Sequence, residues 1–163
     1  MKTPLLLCLA SFLLAPFANA DQTINYPEKD PIFSISFPDG WKVDTGDESV
    51  SASSADELVN MELIALDAEA LDGAIDLAKE SLTEELKGIK WTDEPEKGEL
   101  NGMNVVFINA QTTLEGVKMA VNCCIFAPKK ADTFFMLFNI VPLESLKEHG
   151  EAVGKVLNSI KGK

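Results

Sequence analysis

Residues 101–141 read NGMNVVFINAQTTLEGVKMAVNCCIFAPKKADTFFMLFNIV, and this stretch decides the fold. Asn101-Gly102 opens it, the dipeptide preferred in a two-residue hairpin turn because both positions tolerate positive φ. Met103 to Leu114 is the first strand, Glu115-Gly116 turns it into Val117 to Ala127, and Pro128-Lys129-Lys130-Ala131 leads into Asp132 to Val141. Turns this short join antiparallel neighbours, so the three strands form a meander. Side chains alternate across a strand. Within Val117–Phe126 the odd positions Val117, Met119, Val121, Cys123 and Ile125 are all apolar, whereas the even set begins polar at Lys118 and Asn122 and ends apolar at Phe126. Phe134-Phe135-Met136-Leu137-Phe138 is apolar at every position. A strand buried on both faces must be central, with a covering layer on each side.

Working upstream, the period changes at Leu71. Leu71, Ile75, Ala78, Leu82, Leu86 and Ile89 recur at steps of three and four, one face of a helix of about four to five turns. Asp67 or Glu69 complements its N-terminus, and Lys87-Gly88 suits its end. Between this helix and the meander, Lys90 to Leu100 is a charged strand region led by Trp91 and interrupted by Pro95. Further back, Ile32 to Phe37 alternates with Phe33, Ile35 and Phe37 on one face. Pro38-Asp39-Gly40 turns the chain, and Trp41–Asp44, Ser49–Ser53 and Asn60–Leu66 follow as short strands, the first two joined by the turn Thr45–Glu48.

Downstream, Pro142 stands near the first turn of a second helix, whose Leu143, Leu146, Val153, Leu157 and Ile160 share a face. Gly150 and Gly154 cost helix propensity there, which points to close packing against the sheet. The expected fold class is α+β: a twisted antiparallel β-sheet covered by helices on both faces, an α/β/α sandwich. It occupies a single domain over residues 32–163, preceded by an extended N-terminal arm at 21–31.

With 163 residues and 46% hydrophobic content the chain has room for one domain and its core. It carries 26 Asp+Glu against 14 Lys+Arg, and every one of those fourteen is lysine. An acidic chain without arginine repels phosphate, which argues against nucleic acid or anionic lipid as partner. Residues 1–20 read as a signal peptide. Lys2 is the positive start, Leu5 to Leu14 the apolar run, and Ala18-Asn19-Ala20 the small-x-small cleavage site. That run is shorter than the roughly 20 apolar residues of a membrane span, and no later segment is long enough for one. Cleavage after Ala20 releases an exported protein. Its small size, lack of an anchor and near absence of disulfides favour the periplasm, with the extracellular medium as the alternative. Cys123 and Cys124 survive cleavage. As strand neighbours they point to opposite faces, so they read as two small buried apolar residues. A redox or ligand pair is the alternative, and no adjacent basic group lowers a thiol pKa to support it.

Little else carries chemistry. His149 is the only histidine, which excludes a histidine-rich metal site, and it reads as a surface or boundary residue. A Ser-His-Asp triad stays open, though no Gly-x-Ser-x-Gly elbow is present. Phosphate-binding glycine loops and calcium loops are absent, so no cofactor is expected. Trp41 and Trp91 read as partly buried core before a sugar or peptide groove. One constellation stands out. Asp72, Asp76, Glu80 and Glu84 are spaced by four and form a single column of carboxylates along the first helix. Like charges at that spacing cost a few tenths of a kcal/mol each, partly recovered through the helix dipole and through Lys79 and Lys87. The column is either a docking stripe for a basic partner, a weak divalent-cation surface, or an ordinary solvated face of an acidic exported protein.

The order of elements resembles a known family. Phe33-Ser34-Ile35-Ser36-Phe37-Pro38-Asp39-Gly40-Trp41 comes first, then a helix, the Asn101-Gly102 hairpin, and a last helix closing on Leu157-Asn158-Ser159-Ile160. This is similar to the PsbP-like superfamily of α/β/α proteins, and most to its small exported bacterial members, over nearly all of the chain after the leader. Phe-Pro-x-Gly-Trp is a strand-turn motif without chemistry. Members include an extrinsic subunit of the oxygen-evolving photosystem and a nuclear protein that binds a small GTPase. The resemblance implies an adaptor or assembly role and carries over no functional residue. The absence of arginine departs from members that dock through basic patches. The first expectation is therefore an exported, non-catalytic binding or adaptor protein of the bacterial envelope, whose partner is an envelope protein with a basic surface. The alternatives are a periplasmic protein binding a small ligand or metal ion, and a small hydrolase whose acids the sequence does not single out.

Overall fold

The structure, a computed structural model, describes residues 21–46, 49–92 and 94–163. The expected leader at 1–20 lies outside the described residues, as do Asp47 and Glu48 of the turn before the fourth strand. In chain order the strands are β1 (Gln22–Tyr26), β2 (Phe33–Phe37), β3 (Lys42–Thr45), β4 (Ser49–Ser53), β5 (Asn60–Leu66), β6 (Lys90–Trp91), β7 (Glu96–Leu100), β8 (Met103–Leu114), β9 (Val117–Phe126), β10 (Phe134–Pro142) and β11 (Lys161–Gly162). Helix α1 (Leu71–Glu85) joins β5 to β6, and α2 (Leu146–Ser159) lies between β10 and β11.

The meander forms as its turns require. Asn101 and Gly102 have φ of 49° and 77°, and Glu115 and Gly116 have 50° and 86°. Paired positive values belong to the two-residue turn whose twist matches the strands it joins. The eight-stranded sheet runs β3-β4-β5-β10-β9-β8-β6, with β7 also paired to β8, and its pairs are antiparallel. In β10, Phe135, Met136, Leu137 and Phe138 are all buried. The pleat then divides the core. Val121, Cys123, Ile125, Met136 and Phe138 join Ala74, Ala78 and Leu82 of α1 in one cluster. Ala120, Cys124, Phe126, Phe135 and Leu137 belong to the other.

That second cluster is filled largely by a small second sheet built on the predicted Ile32–Phe37 strand. The arm expected at 21–31 is in part a strand: β1 pairs with β2 along its whole length, and β11 pairs with β2 on its other side. The resulting three-stranded sheet buries Phe33, Ile35 and Phe37 completely, and Val153 and Val156 of α2 join them. Phe33 meets Phe126 and Phe135 edge-on, with centroids 5.3 and 5.0 Å apart, the geometry in which a positive ring edge faces a negative ring face. β1 escapes a hydrophobic-pattern search because Gln22, Thr23 and Asn25 are exposed and only Ile24 and Tyr26 pack against the core.

Two expectations about α2 are corrected. Pro142 is the last residue of β10, paired in register with Met119, and a single 3-10 turn at Leu143–Ser145 precedes the helix. Leu143 is consequently an exposed residue outside the buried face. Gly150 and Gly154 do not mediate close packing, because a Cβ added at either meets nothing within 4 Å. The helix packs chiefly along β2, through Val153 and Val156. Its last turn is capped from a distance. Asn101 Nδ2 donates to the carbonyls of Asn158 and Ile160 at 2.8 and 2.7 Å, satisfying acceptors that a helix end leaves free.

Open space around the two helical glycines makes a stability prediction. Gly150→Ala and Gly154→Ala should each raise unfolding free energy by about 0.5–1 kcal/mol in urea titrations. Gly102→Ala, at φ 77°, should lower it. A loss at both helical sites would show that the glycines serve close packing after all.

Candidate functional site

The helix α1 covers part of its face of the large sheet. Its cluster draws on β5, β8, β9 and β10, and no residue of β3 or β4 joins it. Where α1 ends, an open groove of about 340 Å³ lies over the uncovered strands. Its floor is two rows of the sheet register. Asp44, Ser51, Glu62 and Phe138 are successive partners across β3, β4, β5 and β10, and Lys42, Ser53, Asn60 and Ile140 form the adjacent row. Glu85, from the last turn of α1, also lines it. The alternation in β4 explains the polar floor: Val50 and Ala52 are buried in the second cluster, which leaves the intervening serine for the groove.

Carboxylates dominate this groove. Lys42 is already paired with Glu57 of the β4–β5 loop, and that contact holds Glu57 below its usual range. The Glu62 carboxyl is pushed up, first by desolvation and then by the charge of Glu85. The predicted column Asp72, Asp76, Glu80 and Glu84 is exposed throughout, on the side of α1 away from Ala74, Ala78 and Leu82. Among the described residues no ion pair joins it to a lysine. Lys79 instead lies 5.5 Å over the ring of Trp91, so the compensation expected from it goes to a cation–π contact. The column ends at Glu84, next to Glu85 of the groove. Among the described residues no group of three His, Cys, Asp or Glu is placed to hold a metal ion.

The structure does bring a serine, an aspartate and the histidine together, but not as a nucleophilic triad. Ser54 Oγ donates to Asp56 Oδ1 at 2.6 Å, Leu58 N–H donates to the same oxygen at 3.2 Å, and Val59 N–H donates to Ser54 Oγ at 3.0 Å. His149 Nε2 stands 3.2 Å from Asp56 Oδ2. The Ser54 hydroxyl thus reaches the carboxylate and not the imidazole, and at 4% exposure it faces no substrate. Asp56 is held below the usual carboxylate range, first by the Ser54 hydroxyl, then by the Leu58 amide, with His149 adding to it. Cys123 and Cys124 are free and buried in opposite clusters. Burial pushes both thiols up, Cys124 to about 12. Trp41 is buried in the second cluster and Trp91 is half-buried against the first.

At the level of sequence, no family profile and no curated relative matches. Solved structures do. PsbP of the cyanobacterium Synechocystis sp. PCC 6803 superposes with a TM-score of 0.65 at 10% identity, over 89% of this chain and 94% of that one. The chain has the PsbP-like fold. The Ran-binding protein Mog1p of Saccharomyces cerevisiae matches with a TM-score of 0.60 at 9% identity, over 89% of this chain and 96% of its own. LpqN of Mycobacterium tuberculosis, described as involved in cell envelope biogenesis, matches at 0.58 and 12% identity, over 88% and 91%. The resemblance read from the Phe33–Trp41 segment and the Asn101-Gly102 hairpin is thereby borne out as a fold. Shared architecture at such identity carries no activity with it. No helix among the described residues is long and apolar enough to cross a membrane.

Two outcomes follow from these environments. Because the charged form of Glu62 is disfavoured in the folded state, Glu62→Gln should stabilise the protein at pH 7. The gain should fade as pH falls through the carboxylate range, where the wild-type group is protonated both folded and unfolded. Thermal unfolding at pH 7 and pH 4 measures this, and an equal gain at both values would contradict it. Cys123 and Cys124 should resist a thiol reagent at pH 8 in the native protein and react fully in denaturant.

Proposed function

We propose that this protein is an exported, non-catalytic binding module of the bacterial envelope, periplasmic after loss of residues 1–20, whose acidic face docks an envelope protein that carries a basic surface. The observation that carries the proposal is the outer side of α1, where Asp72, Asp76, Glu80 and Glu84 are exposed and unpaired by lysine among the described residues. Such a column costs the isolated helix a little stability. In exchange it presents one sign of charge along about three turns, which speeds encounter with an opposite surface and disfavours wrong partners. The groove continues that surface with Glu85, Glu62 and Asp44.

In this reading the two helices cover opposite faces of the large sheet, which makes the outer side of α1 the display surface of one of them. The fold is compatible with the role: a Ran-binding protein and a protein of cell envelope biogenesis share it. The non-catalytic part rests on the side chains themselves. The Ser54 hydroxyl is committed to Asp56, and both thiols are pushed away from the nucleophilic range. A second reading, binding of a small ligand, draws on the groove alone, whose volume falls at the lower end of the range of ligand sites.

Affinity capture from envelope extract, with residues 21–163 as bait, separates the two. Docking predicts a protein retained at low salt, released at high salt, and lost when Asp76→Lys and Glu80→Lys are introduced together. If nothing is retained at either salt, the docking proposal falls and a bound small molecule becomes the object of search.

A further inference from the structure

His149 lies in the first turns of α2, and its Nε2 is buried without a hydrogen-bond partner. Asp56 Oδ2 stands 3.2 Å from it, with no hydrogen bond formed between them. The carboxylate is already placed. Its Oδ1 takes the Ser54 hydroxyl and the Leu58 amide, so Oδ2 is the oxygen left for the imidazole. The other charged groups nearby have partners of their own or sit beside the ring in sequence. Glu57 on the same loop holds Lys42, and Glu151 on α2 holds Lys155. Glu144, Lys147 and Glu148 flank His149 along the approach to α2 and its first turn.

We propose that His149 and Asp56 form an acid-fastened latch between α2 and the β4–β5 loop. An imidazole gains its second proton within the range of about pH 5 to 8. The Asp56 carboxylate, held low by Ser54 and Leu58, stays ionised through that range. On protonation the ring becomes a cation with both nitrogens as donors, 3.2 Å from a carboxylate oxygen at a partly buried site, where a charge-assisted hydrogen bond outweighs a neutral contact. The sign follows from linkage: the stabilisation is present while the ring is charged and is lost as pH rises and it becomes neutral. The latched loop carries Glu57, which grips Lys42 at the groove. Acid pH therefore ties one side of the groove to α2. The latch stands on this geometry alone and does not depend on the docking proposal.

Amide hydrogen exchange on the whole protein tests it. The Leu58 and Val59 amides report directly, since they donate to Asp56 Oδ1 and Ser54 Oγ. After correction for intrinsic exchange, their protection should rise roughly threefold to tenfold between pH 8 and pH 5.5. His149→Gln, which leaves Asp56 and its loop contacts in place, should hold protection at the same level at both values. Asp56→Asn should also abolish the rise. Equal wild-type protection at the two pH values, or a rise that persists in His149→Gln, would overturn the latch.

Discussion

The structure depends on β10 having to be covered on both faces. Phe135 and Leu137 point one way and Met136 and Phe138 the other, and all four are buried. A fully buried aromatic or leucine side chain is worth about 1.5–3 kcal/mol relative to exposure, so neither face can be left to solvent. β9 carries the same demand to its neighbour. Cys123 and Cys124, adjacent in sequence, end in opposite clusters. Two layers are needed, and the chain supplies them differently. One is α1, whose contacts are the small residues Ala74 and Ala78 with Leu82. The other is the three-stranded sheet, whose Phe33 meets Phe126 and Phe135 edge-on.

Much of this was legible in local sequence pattern, and what was not has a common cause. The meander, both positive-φ hairpin turns and the apolar stripe of α1 follow from neighbours a few residues apart. The second sheet does not, because three of the five residues of β1 are polar and exposed and β11 is only two residues long. Each is specified by long-range backbone pairing to β2. The start of α2 was misplaced because proline suits both a helix entrance and a strand end, and pairing of Pro142 with Met119 decides for the strand. The same limit governs the site. Asp72, Asp76, Glu80 and Glu84 are visible as a column from their spacing alone. Asp44, Ser51, Glu62 and Phe138 meet only through strand register, and Asp56 meets His149 only because α2 returns past the β4–β5 loop.

The distribution of polar groups supports display over chemistry. Where polar groups are buried, they are spent on structure: Asn139 accepts from Asn122 Nδ2 at 3.0 Å, and Thr112 Oγ1 donates to the Lys87 carbonyl at 3.0 Å. The carboxylates of the outer side of α1 are exposed, and those of the groove lie beyond its last turn. The scaffold behind this surface is rigid for a physical reason, since α1 is held by a cluster continuous with both central strands. A rigid element presenting fixed charge loses little conformational entropy on association.

The outer side of α1 is the face proposed to meet a partner. Site-specific photo-crosslinking in intact cells tests it most directly, with the probe placed at Asp76 or Glu80 and, as a distant reference, at Lys161 on β11. The account predicts a crosslinked adduct with another protein from the α1 positions and none from Lys161. An adduct from Lys161 without one from α1, or no adduct from any position, would contradict it.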